Sequence, residues 1–235
     1  MEVIELSTHA ESIGAAGLQI VAPFYASLSD DEIYDHYRRI GERVSIPVLM
    51  YNNRGLTSID MSPGLIARLA EIPNVDGIKE ATGDSRRMRQ IISLAGDRIT
   101  VFAGVDDNVL EAYALGVRGW VAGVANLIPR HCLEFHEAAV VRGDFDAARR
   151  LYYQMSNLCD KIETATHVQN LKYGLEVLGV NVGPPRPPPG FEPHRLGPPS
   201  RKSLEPKVSS NSRAVMKGGN TLVRRMIIRR DMTSF

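Results

Sequence analysis

The feature that most constrains this chain is a repeated alternation of a short apolar, β-branched run with a stretch of helical periodicity. The runs cover residues 18–24 (LQIVAPF), 46–52 (IPVLMYN), 75–82 (VDGIKEAT), 99–105 (ITVFAGV) and 119–126 (GWVAGVAN), and their starts lie 28, 29, 24 and 20 residues apart. Near-continuous apolar runs are what strands covered on both faces look like. Helix start signals fill the gaps: Ser29-Asp30-Asp31-Glu32 ahead of a helix through Arg43, Ser62-Pro63 ahead of one through Glu71, Gly83-Asp84-Ser85 before 86–94, and Asp106-Asp107 before 108–115. Further helices are expected over 129–141, 145–163 and 166–178. Strand, helix and strand in alternation predict βαβ units and a parallel sheet.

Two α/β architectures satisfy that pattern. No glycine-rich phosphate turn follows any run, which disfavours a doubly wound open sheet. Residues capable of chemistry gather at the C-terminal ends of successive runs, which favours a (β/α)8 barrel of the TIM type. Only about five of its eight strands are present, and the chain opens inside an amphipathic helix. The expectation is an incomplete barrel with C-terminal helices over residues 1–183.

Residues 184–235 differ in kind. Nine of the 14 prolines fall between Pro184 and Pro206, a density that excludes helix and central strand. A basic stretch with Arg224, Arg225, Arg229 and Arg230 follows. The overall net charge of +1 hides this asymmetry: 184–235 carries 11 Lys+Arg against 3 Asp+Glu, leaving 17 against 24 for the body. The segment is expected to be a disordered, solvated tail. Its aromatic residues are only Phe191 and Phe235, too few to form a stacking platform for single-stranded nucleic acid, so no nucleic-acid partner is expected.

Composition narrows the setting. With 43% hydrophobic and 23% charged residues, the chain reads as globular. Cys132 and Cys159 stand far apart with no His or Cys at metal-ligand spacing, so neither a disulfide framework nor a metal site is expected, and a reducing cytoplasmic setting fits. No secretory signal and no apolar run of about 18 residues is visible, so no membrane association is expected.

The chemistry centres on Lys79, at the C-terminal end of an apolar run. Desolvation favours the neutral form of an amine. A neutral amine attacks a ketone to form an imine, and the protonated imine is an electron sink for carbanion chemistry. Such a lysine also has a bland reading, as a side chain that snorkels to the surface or pairs with a neighbour such as Glu80. Tyr51 closes the preceding run 28 residues earlier, about one βα unit, which places both side chains at one rim of adjacent strands. A phenol beside the amine can shuttle protons.

The segments Ala22-Pro23-Phe24-Tyr25, Tyr51-Asn52 and Gly77-Ile78-Lys79-Glu80-Ala81-Thr82-Gly83-Asp84 occur in order, followed by Phe102-Ala103-Gly104-Val105-Asp106-Asp107 and Gly119-Trp120-Val121-Ala122-Gly123-Val124-Ala125-Asn126. Together they resemble the dihydrodipicolinate synthase / N-acetylneuraminate lyase family, from residue 1 to about residue 188. The resemblance implies a pyruvate-dependent, Schiff-base (class I) aldolase or lyase. Lys79 would be its imine-forming lysine, Tyr51 its proton relay, and Tyr25 a tyrosine reaching into a neighbouring subunit's site. Gly104, Val121 and Asn52 would lie at the substrate. The family needs no metal or organic cofactor and forms homo-oligomers, usually tetramers.

Three departures qualify this picture. The family's Gly-Thr-Thr-Gly-Glu segment, which holds the keto-acid carboxylate, has no counterpart here. The arginine that the synthases of the family place five residues after the Tyr51 position is Leu56, with Arg54 nearby. The chain beyond about residue 189 looks foreign to the family. The alternatives are therefore 4-hydroxy-tetrahydrodipicolinate synthase proper, or a catalytically inactive fragment or paralogue.

Overall fold

Five parallel strands follow one another across a single sheet: β1 (Leu18–Val21), β2 (Val48–Asn52), β3 (Val75–Glu80), β4 (Thr100–Ala103) and β5 (Gly119–Trp120), in the order β1-β2-β3-β4-β5. The structure is a computed structural model, and it describes residues 2–186. A doubly wound sheet reverses its order at a switch point. A sheet that adds each strand to the same edge winds in one direction, with its crossovers on one face, which is the winding of a (β/α)8 barrel. The expected partial barrel is therefore the observed architecture, with five strands among the described residues.

Helices α1 (Glu2–Ser12), α2 (Asp30–Gly41), a single turn α3 (Arg54–Thr57), α4 (Pro63–Leu69), α5 (Ser85–Ala95) and α6 (Val109–Ala114) accompany the strands. After β5 come α7 (Pro129–His136), which runs on into a π-helical turn over Glu137–Val141, then α8 (Phe145–Ile162) and α9 (His167–Val177). Several starts follow the local signals in the sequence. Ser29 and Glu32 form a reciprocal capping box on α2. Ser62 caps α4 with Pro63 in its first turn, and Asp84 caps α5.

The sheet's two faces are unlike. On one, Ile20, Val48, Met50, Ile78, Val101 and Ala103 are buried in a continuous core with Ile33, Tyr37 and Ile40 of α2, Leu65, Ile66 and Leu69 of α4, and Met88 and Ile91 of α5. Full burial of such a side chain stabilises by roughly 1.5–3 kcal/mol. The Tyr37 hydroxyl reaches through this core to donate to the Ile20 carbonyl at 2.9 Å. On the other face Val21, Leu49, Tyr51, Lys79 and Phe102 are only half-buried, and Gln19 is exposed. The apolar runs predict cover on both faces; among the described residues helices cover one. Leu49 and Phe102 instead face the inside of the arc.

The fifth strand is also shorter than the run over 119–126 predicts. Val121 still donates to the Ala103 carbonyl at 3.0 Å, but the chain then turns away, because the Asp106 carboxylate takes the N–H groups of Gly123 (3.0 Å) and Val124 (2.7 Å). Asp106, read as a start signal for the helix that follows it, thus makes no cap there. Its carboxylate also accepts from Trp120 Nε1 at 3.0 Å, while its own N–H donates to Glu163 at 2.8 Å. The described chain ends at Arg186, so the tail expected over 184–235 lies, beyond that residue, outside the described residues.

Candidate active site

Strand register brings the two chemical residues together. Tyr51 on β2 is the lateral partner of Lys79 on β3, which in turn is the partner of Phe102 on β4. A Cβ on Gly77 would meet Leu49 Cδ1 at 2.6 Å and Phe102 Cε2 at 3.5 Å, so Gly77 shares a face with both. Lys79, two residues on, lies on that same face, at the C-terminal rim. Its Nζ stands 4.2 Å from the centroid of the Tyr51 ring, a cation–π distance.

Lys79 and Glu80 do not pair. Glu80 points to the opposite face, completely buried, and accepts from Asn52 Nδ2 at 2.9 Å and from the Thr82 N–H at 2.9 Å. Arg87 approaches it at 3.8 Å while bonding Asp60 and the Met61 carbonyl. No carboxylate lies within ion-pair distance of Lys79 among the described residues.

Asn52 requires a correction. Expected at the substrate, its side chain is instead buried behind the sheet, donating to Glu80 and accepting from the Met61 N–H at 3.1 Å. The reason is the two-residue period of a strand: a neighbour of Tyr51 cannot share its face. Asn52 and Glu80 tie the ends of β2 and β3 together from behind, and so hold Tyr51 beside Lys79.

Gly104 and Val121 lie on the amine's face. A Cβ on Gly104 would stand 2.6 Å from Ala81 Cβ and 2.7 Å from the Glu80 carbonyl, so only glycine lets the end of β4 approach β3 this closely. The Gly104 N–H donates to that carbonyl at 2.8 Å. Val121 follows Gly119, whose absent Cβ would strike the Phe102 ring at 2.3 Å, and alternation turns Val121 to the same side. Tyr25 lies in the loop after β1 and is fully exposed at 101%. Leu56 is 78% exposed on α3, with Arg54 exposed at the start of that turn.

Three residues of this neighbourhood escaped the sequence reading. Phe102 walls the site beside Lys79, and strand parity with Gly104 was a signal for it. Glu80 holds the strand ends, and its burial has no local signature. Asn53 donates from Nδ2 to the Tyr51 hydroxyl at 2.7 Å and accepts from the Leu56 N–H at 3.1 Å; an Asn three residues before a turn's N–H is a recognisable cap.

Electrostatics set the β4–β5 rim apart. Burial pushes the Asp106 carboxyl up from 3.8 to about 6, against the pull of the Val124 N–H and with the nearby Glu163 charge adding to the rise. Burial also pushes the Cys132 thiol up to about 12, and Cys159 moves in the same direction, as expected for packed, unreactive thiols. Among the described residues no group of three or more His, Cys, Asp or Glu side chains could hold a metal ion, and no helix is long and apolar enough to cross a membrane. Two surface clefts of about 410 and 510 Å³ lie among the helices, the first by Arg89 and Leu94, the second by Leu28 and His36; Lys79 and Tyr51 line neither.

The model of the dihydrodipicolinate synthetase family matches residues 1–193. The 4-hydroxy-tetrahydrodipicolinate synthase of Thermodesulfovibrio yellowstonii is 36% identical over 178 residues, 76% of this chain and 61% of that protein. The synthase of the same name from Archaeoglobus fulgidus is 34% identical over 187 residues, 80% of this chain and 64% of that protein. Among solved structures, dihydrodipicolinate synthase from Aquifex aeolicus superposes with a TM-score of 0.76 at 29% identity, covering 80% of this chain and 64% of that one. The chain thus spans about three fifths of the length of the curated relatives it matches. With its sequentially wound sheet and a lysine and tyrosine side by side at one rim, the chain belongs to the dihydrodipicolinate synthetase family.

Proposed function

We propose that this chain carries the imine-forming half of a class I, pyruvate-dependent aldolase or lyase site, making or breaking a carbon–carbon bond of a 2-keto acid. The observation that supports it best is the 4.2 Å approach of Lys79 Nζ to Tyr51 across adjacent parallel strands, with no carboxylate among the described residues competing for the amine. In this reading Lys79 attacks the keto carbon, water leaves, and the protonated imine accepts the electron pair of the bond being formed or broken. Rotation about the lysine stem carries Nζ from the face of the ring to its phenol edge, where Tyr51 passes the protons that addition and dehydration require. Gly104 and Val121 leave room for a small keto acid. No metal or organic cofactor takes part. Tyr25, projecting fully into solvent, serves the site of a second subunit in a homo-oligomer, and the enzyme works in the cytoplasm.

Borohydride reduction in the presence of pyruvate, followed by peptide mass mapping, tests the assignment. A stable adduct on Lys79 is expected, and Lys79→Ala should abolish it with the fold intact. An unlabelled Lys79 in a folded chain would sink the proposal.

A second reading, 4-hydroxy-tetrahydrodipicolinate synthase proper, is favoured by the names of the relatives. Against it stands exposed Leu56 where a synthase presents an arginine, since the planar fork of arginine is hard to replace at a carboxylate. Aspartate semialdehyde should therefore be consumed more slowly than 2-keto-3-deoxy sugar acids or N-acetylneuraminate are cleaved. A half-exposed inner sheet face also suits a chain inactive by itself, and an absent adduct together with non-cooperative melting would favour that outcome.

A further inference from the structure

We infer that Asn53 is a positioning residue for the Tyr51 phenol: it makes the phenol oxygen a hydrogen-bond acceptor and leaves the phenol's own proton free to move. The inference rests on the imine reading above and deepens it.

The argument begins with the side-chain amide's two ends. An Asn oxygen and nitrogen are told apart only by their partners. Here Oδ1 faces the backbone N–H of Leu56 at 3.1 Å, a group that can only donate. Oδ1 is therefore the acceptor, and Nδ2 must be the atom that meets Tyr51 Oη at 2.7 Å. An amide nitrogen can only donate, so the phenol oxygen is the acceptor of that bond. Its proton is thereby directed elsewhere.

A relay group has to give and take a proton at one atom. A donor fixed on the phenol oxygen orients its lone pairs, so the atom gives and takes its proton along a set direction. The amide itself is held by its cap on α3, whose backbone is closed by the Thr57 N–H on the Asn53 carbonyl at 3.0 Å and the Thr57 hydroxyl on the same carbonyl at 2.8 Å. One side chain thus links the turn that bears Arg54 and Leu56 to the phenol over the amine.

The test separates capping from donation. Asp and Ser cap a helix about as well as Asn, so Asn53→Asp and Asn53→Ser keep α3. Asp offers the phenol an acceptor in place of a donor, and Ser is too short to reach it while capping. With the full 235-residue chain, pyruvate methyl-proton exchange in D2O should slow by about tenfold or more in both variants, with KM for pyruvate within about twofold and an unchanged melting temperature. Nitration of Tyr51 by tetranitromethane, which attacks the phenolate and is read by peptide mass mapping, should slow by about threefold or more in Asn53→Asp. An unchanged exchange rate in a chain that forms the Lys79 adduct overturns the assignment, and so does an unchanged Tyr51 nitration rate. If the unsubstituted chain forms no adduct at all, the imine reading fails, and the nitration result alone decides the role of Asn53.

Discussion

The two faces of the five-stranded sheet differ by one residue of register and by almost everything else. On the helix side the side chains of Met50, Ile78, Val101 and Ala103 lie in a dry core, and even the polar Asn52 and Glu80 are sealed there with each other as partners. On the inner side Leu49, Tyr51, Lys79 and Phe102 stay half-buried. The period of two puts the sealed core on one face and Tyr51 and Lys79, the residues of the proposed site, on the other. Among the described residues no carboxylate pairs with Lys79, which stands over the Tyr51 ring while Asn52 and Glu80 hold the two strand ends from behind.

Truncations on the two faces give the largest test of that contrast. Ile78→Ala should cost about 3.5 kcal/mol, because the core around it cannot collapse into the cavity. Leu49→Ala, one strand away on the inner face, should cost roughly 1 kcal/mol, because much of that side chain is already wet. Urea unfolding of the two variants measures both. Equal losses would mean that the inner face is as well covered as the outer one.

The next effect sharpens the contrast at the rims. At β2–β3 the buried carboxylate of Glu80 accepts a side-chain amide; at β4–β5 that of Asp106 accepts backbone N–H groups beside a second carboxylate. Asp106 holds its proton more tightly when folded, about 6 against an ordinary 3.8. Its contribution to stability is fully present below pH 3.8 and is lost as the pH rises through 6. That amounts to about 3 kcal/mol at 1.36 kcal/mol per pH unit. Asp106→Asn should flatten this window. Unfolding free energies at pH 4, 5, 6 and 7 should show the difference between the two proteins changing in that direction, and parallel curves would refute it.

The smallest effect belongs to neither face. Ser29→Ala removes one half of the capping box on α2 and should cost about 1 kcal/mol, measured as a shift in the urea midpoint. A much larger loss would show that this exposed start is coupled to the sheet.

Much of this was legible beforehand wherever the deciding partners are close in the chain. The caps at Ser29, Ser62 and Asp84 and the helices they open needed only a few neighbouring residues. The pairing of Tyr51 with Lys79 followed from one βα spacing and the rule that consecutive parallel strands are neighbours. Asn52 was misplaced although strand parity alone would have turned it away from Tyr51. The cap of Asn53 on α3 has a local signature, whereas the aim of the same amide at the Tyr51 hydroxyl depends on how the turn folds back over β2. The length of the fifth strand could not be read from its apolar run, because Asp106 takes its amides out of the ladder.

By itself, then, the order of residues determined the sequence of strands and helices, the rim at which the lysine and tyrosine meet, and the family. These depend on short-range periodicity, capping and the handedness of βαβ crossovers. Only the tertiary structure decided that Glu80 would be sealed by Asn52 from 28 residues away, and that Asp106 would hold Trp120 and Val124 while its own N–H met Glu163, 57 residues on. Buried polar groups must find partners wherever the fold brings them. The choice among distant candidates is made by packing, which no local pattern of residues encodes.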